Sequence, residues 1–136
     1  MAELDYAYLA DYATVSEGKI TAVGASFTHM FTPSLPSQSN FSIAGRIRVM
    51  EQENPPEISI DVRAEKSQQH MEINGQIHPS PASIVYDGKV GILFTLEVSM
   101  EMKHAELVTV DISLGGEKQR RLAFELTTQP REAEAN

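Results

Sequence analysis

The sequence predicts an all-β protein, a two-layer antiparallel β-sandwich of about eight strands. Three observations predict it. Apolar residues recur with a period of two almost throughout the chain. The runs are short and are punctuated by turn-forming residues at Gly18, Asn54-Pro55-Pro56, Asp87-Gly88 and Gly115-Gly116. Helical periodicity persists nowhere; "AEKSQQHME" allows one or two turns at most.

The first run, "DYAYLADYATV", places Tyr6, Tyr8 and Tyr12 on one face and Ala7, Leu9, Ala13 and Val15 on the other. The second, "ITAVGASFTHMF", reads as one strand that is apolar or small on both faces, with Val23, Ala25 and Phe27 opposite Ile20, Ala22 and Gly24. Between them lies Ser16-Glu17-Gly18-Lys19, whose Gly-Lys raises the question of a phosphate loop. That loop needs G-x-x-x-x-G-K-[ST] followed by a helix, so that backbone N–H groups can wrap the phosphates. Ala13 stands where the first Gly belongs, Ile20 follows the Lys, and the next residues are strand-like. The segment reads as a hairpin turn.

"TPSLPSQS" reads as a Pro/Ser-rich loop, as does "HPSPAS" further on. "FSIAGRIRVM" alternates Phe41, Ile43, Gly45, Ile47 and Val49 against Ser42, Ala44, Arg46 and Arg48. "EISIDVRA" turns Ile58, Ile60, Val62 and Ala64 to one side, and "MEINGQI" does the same with Met71, Ile73 and Ile77. In "ILFTLEVSMEM" the even positions from Ile92 to Met102 are apolar and the odd ones are mostly polar. "LVTVDISL" repeats this with Val108, Val110, Ile112 and Leu114. The short "KHAE" between the two suggests a hairpin, with paired residue numbers summing to an even number. "RLAFEL" closes the set with Leu122, Phe124 and Leu126. One domain is expected over 1–128, followed by a polar tail at 129–136.

A chain of 136 residues can bury a core without disulfides, and it has no Cys with which to make one. That also excludes a thiolate metal site and a cysteine nucleophile. The net charge of -8, from 19 acidic and 11 basic residues, repels phosphate backbones, and "GRIRV" and "KQRR" are too sparse to reverse it. No nucleic-acid partner is expected. No apolar stretch reaches the roughly 20 residues of a membrane span, and "MAELDYAYLADYA" is no signal peptide. The expectation is a protein cytoplasmic at synthesis, with no membrane partner.

The four histidines, His29, His70, His78 and His104, have no second His at i+2 or i+4 with a carboxylate helper. They read as solvated residues near strand ends, and no metal or other cofactor is expected. Glu97, Glu101, Asp111 and Glu125 suggest an acidic stripe on outward faces, neutralised by cross-strand Arg46, Arg48 or Arg63. No Ser stands in a G-x-S-x-G elbow, and paired carboxylates for acid–base work are not identifiable. No catalytic residue is assigned.

At "LADYATVSEGKITAVGASFTHMF" with "RIRV", and at "FTLEVSM" and "ELVTVDISLGGEKQRRLAFEL", the chain resembles an uncharacterised family of small β-sandwich proteins of bacteria and their phages or prophages. Ala10-Asp11-Tyr12-Ala13, Gly18-Lys19-Ile20, Gly24 and the strand Ala123 to Leu126 carry the resemblance, whereas 50–90 match weakly. Relatives often carry Gly-Gly where this chain has Gly24-Ala25. The resemblance implies a sandwich and brings no activity with it.

Two functions fit. The first is a non-catalytic structural or interaction module acting by assembly, such as a virion-associated or capsid-decorating protein. The second is a ligand-binding or enzymatic domain using loops at one tip. The missing constellation favours the first. The N-terminal strands lack a wet face, and three of the four Tyr lie in the first twelve residues. Tyr6, Tyr8, Tyr12, Val23 and Phe27 are therefore the expected interface, with another copy or another protein as partner.

Overall fold

The computed structural model describes residues 2–79 and 83–129. Ten strands run in order: β1 (Glu3–Ala10), β2 (Tyr12–Ser16), β3 (Lys19–Val23), β4 (His29–Phe31), β5 (Ser37–Met50), β6 (Glu57–Ala64), β7 (Gln69–Gln76), β8 (Lys89–Met102), β9 (Leu107–Leu114) and β10 (Glu117–Thr127). The all-β class holds, and no described residue is helical. A three-stranded sheet, β1-β5-β8, faces a five-stranded one, β4-β10-β9-β6-β7, and β2-β3 forms a separate hairpin. One apolar cluster joins the two large sheets, with Ile43, Ile47 and Val98 from the first and Val62, Val110 and Ile112 from the second. Phe41 meets Phe124 edge-to-face across it at 5.1 Å.

Period-two patterning locates the buried faces. On β8, Ile92, Phe94, Val98, Met100 and Met102 are buried, and on β9 so are Val108, Val110, Ile112 and Leu114. The partner of each strand is harder to read. β8 and β9 do not form the expected hairpin: β8 pairs with β5 along its whole length, and β9 pairs with β6 and β10. The Lys103–Glu106 segment instead carries the chain from one sheet to the other. Apolar residues of both strands point into the same core from opposite sides, and alternation alone cannot distinguish that from pairing.

A buried polar clasp holds this crossing. The Glu106 carboxylate, 7% exposed, accepts hydrogen bonds from the backbone N–H groups of Lys66 (2.8 Å) and Ser67 (2.7 Å). In return the fully buried Ser67 hydroxyl accepts from the N–H groups of Lys103 (2.9 Å) and His104 (3.1 Å). Turn and crossing thus satisfy each other's backbone donors. The turn in question, Glu65 to Gln68, is a β-hairpin connection between β6 and β7 and not a helical turn.

The expected eight strands become ten because both N-terminal runs are interrupted. The chain leaves β1 at Asp11 and enters the hairpin, and "ITAVGASFTHMF" splits between β3 and β4 where Gly24 and Ser26 adopt positive φ (62° and 65°). β4 pairs with β10 in parallel, whereas the other strand pairings among the described residues are antiparallel. Ser37 to Ser39 of the expected Pro/Ser-rich loop already belong to β5. The polar tail lies outside the described residues from 130 onward, as do 80–82 of "HPSPAS".

The Gly-Lys question also resolves. Glu17 (φ 53°) and Gly18 (φ 71°) are the centre of a turn joining β2 to β3, with Ser16 opposite Lys19. Two successive positive φ values define the mirror-image turn that matches strand twist, and glycine makes the second one cheap. It is a hairpin tip with no helix behind it.

Candidate functional site

The outward face of the three-stranded sheet carries two kinds of surface. Over Ala10 and Ala44 it is covered by the chain's own β2-β3 hairpin. Ala10, Ala13 and Ala44 are at most 4% exposed and form a small cluster with Tyr8, Ile20 and Ala22 around them. Small side chains let the hairpin lie close on the sheet. Asp11 anchors its base, its N–H donating to the carbonyls of Val23 (3.0 Å) and Gly24 (3.3 Å), while the Ser26 N–H donates to Leu9 (2.6 Å). A β-carbon on Gly24 would collide with the Asp11 carboxylate. The motif residues Ala10, Asp11, Ala13, Gly18 and Gly24 therefore seat a hairpin; their service is to the fold.

Beyond the hairpin the same face is charged. β1 shifts register between Leu4 and Tyr6, and this bulge lets Glu3, Asp5 and Tyr6 all meet β5 on the outer side. Arg46 donates through Nε (2.8 Å) and Nη2 to Asp5, and its guanidinium lies 5.1 Å from the Tyr6 ring and 5.6 Å from Tyr86. Arg48 and Lys89 both reach Glu3 at 2.8 Å. The hydrogen bond from Arg46 holds the Asp5 carboxyl below its usual range, and Lys89 does the same for Glu3. Tyr6 stacks on Tyr8 with ring centres 6.2 Å apart, and burial pushes the Tyr8 phenol up. A groove of about 780 Å³ opens here between the hairpin tip (Val15, Glu17) and the segment bearing Ile84 and Tyr86, with Arg46 and Leu93 also lining it.

The five expected interface residues are consequently dispersed. Tyr6 and Tyr8 share the outer face of β1 and are half-buried. Tyr12 (49% exposed) and Val23 (58% exposed) sit opposite each other on β2 and β3, forming an apolar pair on the hairpin. Phe27 is partly buried and packs against the core, edge-to-face with Phe124 at 5.3 Å. The expected uncovered face of the N-terminal strands is thus covered by the chain itself, over Ala10 and Ala44. The expected single acidic stripe divides too: Glu97 and Glu101 lie on β8, but Asp111 and Glu125 lie on β9 and β10 of the other sheet.

The outer face of the five-stranded sheet holds a group that histidine spacing does not reveal. Asp61 on β6 is directly opposite both Glu72 on β7 and Asp111 on β9. Arg121 (2.7 and 3.0 Å) and Lys118 (3.2 Å) serve Asp111, and the Arg121 hydrogen bond keeps that carboxyl low. Ligand-capable atoms of Asp61, His70 and Glu72 all lie within 4.8 Å of one another. The signal available in the sequence is "HME": His70 and Glu72 stand two apart, and on a strand that spacing puts an imidazole and a carboxylate on one face. A rule that asks for a second His passes over it.

A model described as "Family of unknown function (DUF6941)" matches residues 5–127, and the chain belongs to that family. The resemblance to an uncharacterised family is thereby borne out at this level. No curated protein matches the chain. Among the described residues, no helix is long and apolar enough to cross a membrane.

Proposed function

We propose that this chain is a non-catalytic interaction module that acts by assembly, of the virion-associated or capsid-decorating kind found in phage or prophage settings. The observation that carries the reading is the Tyr12–Val23 pair, held in register on a hairpin that lies over the three-stranded sheet and left about half exposed. Tyr supplies a large apolar body with a polar tip, suited to a protein surface that must be both wet when free and dry when bound. The hairpin is seated by its other face, so the outward one is available to a second copy or a larger protein assembly. Beneath it Tyr8 packs against the Ala10, Ala13 and Ala44 cluster and stacks on Tyr6.

The test is sedimentation of the wild type against a Tyr12→Ser, Val23→Thr double variant. Association is expected in the wild type, weakened at least tenfold in the variant with little change in melting temperature. A wild type that remains monomeric at high concentration and brings no protein with it from its native source would overturn the reading. The groove beside Arg46 and Tyr86 favours a second reading, a ligand-binding domain that uses loops at one end. Small-molecule binding lost on Tyr86→Ala, without change in self-association, would support it instead.

A further inference from the structure

We propose that Asp61, His70 and Glu72 form a binding site for a first-row divalent cation of borderline softness, with Zn2+ the ion their chemistry suits. The ligands are one imidazole and two carboxylates, and their donor atoms already lie within 4.8 Å of one another. Bonds of about 2.0–2.2 Å to zinc place neighbouring ligand atoms roughly 3–4 Å apart, so small rotations of exposed side chains complete the approach. The backbone needs no movement. His70 and Glu72 are two residues apart on one face of β7, and Asp61 is the cross-strand partner of Glu72 on β6. A paired strand is a rigid base for such a set.

The imidazole separates this group from an ordinary acidic patch. Calcium and magnesium take oxygen ligands, whereas a mixed nitrogen and oxygen set suits zinc and its neighbours. His70 Nε2 stands 2.9 Å from Asp61 Oδ1, a contact the two make with each other and that an entering cation would open and replace. Each carboxylate is also held by a neighbour on its own strand, and on Asp61 that neighbour shares the oxygen that meets His70. Arg63 donates to Asp61 through Nε (3.1 Å) and Nη2 (3.3 Å), and the Asn74 amide donates to Glu72 Oε1 (3.2 Å). Such outer partners orient metal ligands, and Glu72 keeps its second oxygen for the ion. His70 and Glu72 are exposed, so the cation enters from solvent, and three protein ligands leave a position for water or for a donor from another molecule. The site lies on the other sheet from the hairpin and is independent of the assembly proposed above.

Calorimetric titration of the full chain with zinc chloride, together with thermal melts with and without the metal, tests the proposal. One equivalent should bind and raise the melting temperature. His70→Ala should weaken that binding at least tenfold and abolish the rise, while melting like the wild type when metal-free. Glu72→Gln should weaken binding less. His29→Ala, at the opposite edge of the sheet on β4, should bind as the wild type does, and calcium chloride should give no saturable signal. Identical zinc titrations for wild type and His70→Ala, or no binding by the wild type, would overturn the site.

Discussion

The outer faces of the two sheets obey opposite rules. On the five-stranded sheet the face is wet: Asp61, Arg63, Asp111 and Arg121 alternate along and across strands in ion pairs. On the three-stranded sheet, β5 is buried on both faces through its middle, from Phe41 to Gly45. Ser42 and Ala44, outward by alternation, are 1% and 0% exposed. Wet faces can carry long charged side chains at no packing cost, but a face beneath a second layer needs small residues that let backbones approach. The chain meets the second demand with Ala10, Ala13 and Ala44. Half-wet alternation is therefore a rule about how many layers cover a sheet, and the same chain contains both cases.

The sharpest way to break this contrast is to put charge into each buried face of the three-stranded sheet. Val98→Asp on the core side and Ala44→Glu beneath the hairpin should each cost at least about 3 kcal/mol in denaturant melts. If Ala44→Glu were tolerated, the hairpin would not be seated there. Next in size is the clasp between the sheets. Glu106→Ala strands the N–H groups of Lys66 and Ser67 and should cost about 2–4 kcal/mol, with faster amide exchange at those two residues.

Gly45→Ala comes third. A β-carbon there would lie 2.5 Å from the Tyr6 carbonyl oxygen and 2.7 Å from the Phe94 ring, so β1 or Phe94 must shift. A loss of about 1–3 kcal/mol is expected.

Acid should act on the ion pairs of both outer faces. Because Asp5, Glu3 and Asp111 have lowered pKa values in the folded protein, their contribution is complete above the unfolded carboxylate value of about 4 and disappears as pH falls through the folded values. Melting temperature should decline below that pH, and Asp5→Asn should make the decline shallower. A melting temperature indifferent to acid would mean that the pairs do not form in solution. The smallest effect belongs to Glu97→Ala, on an exposed stretch of β8 beyond the hairpin, which should stay within about 0.5 kcal/mol. A larger loss would place Glu97 under a layer as well.

Tyr12 and Val23 show how a site can be half legible. Both are conspicuous in the sequence as aromatic and β-branched residues on apolar strands, and both are exposed on the hairpin. Phe27 carries the same signal and instead packs, partly buried, against the core, because the turn at Gly24 to Ser26 redirects the chain toward β4. For Asp61, His70 and Glu72 the deciding fact is the register of β6 against β7. Residues 61 and 72 are neighbours only once the hairpin between them has its length and turn type.

Alternation of apolar residues, read along the chain, determined the strand class, the inward residues of β5, β6, β8, β9 and β10, and the tips at Gly18, Asp87-Gly88 and Gly115-Gly116. Those are local properties: a pleat sends neighbouring side chains to opposite sides, and particular turns demand positive φ. Tertiary structure alone decided which strands pair, that β8 and β9 belong to different sheets, and that β2-β3 lies over Ala44. These choices depend on non-local packing, since an apolar face is equally satisfied by any partner that excludes water. Directional contacts, such as Glu106 to the turn at Lys66 and Ser67, then select one arrangement, because buried donors must each find an acceptor.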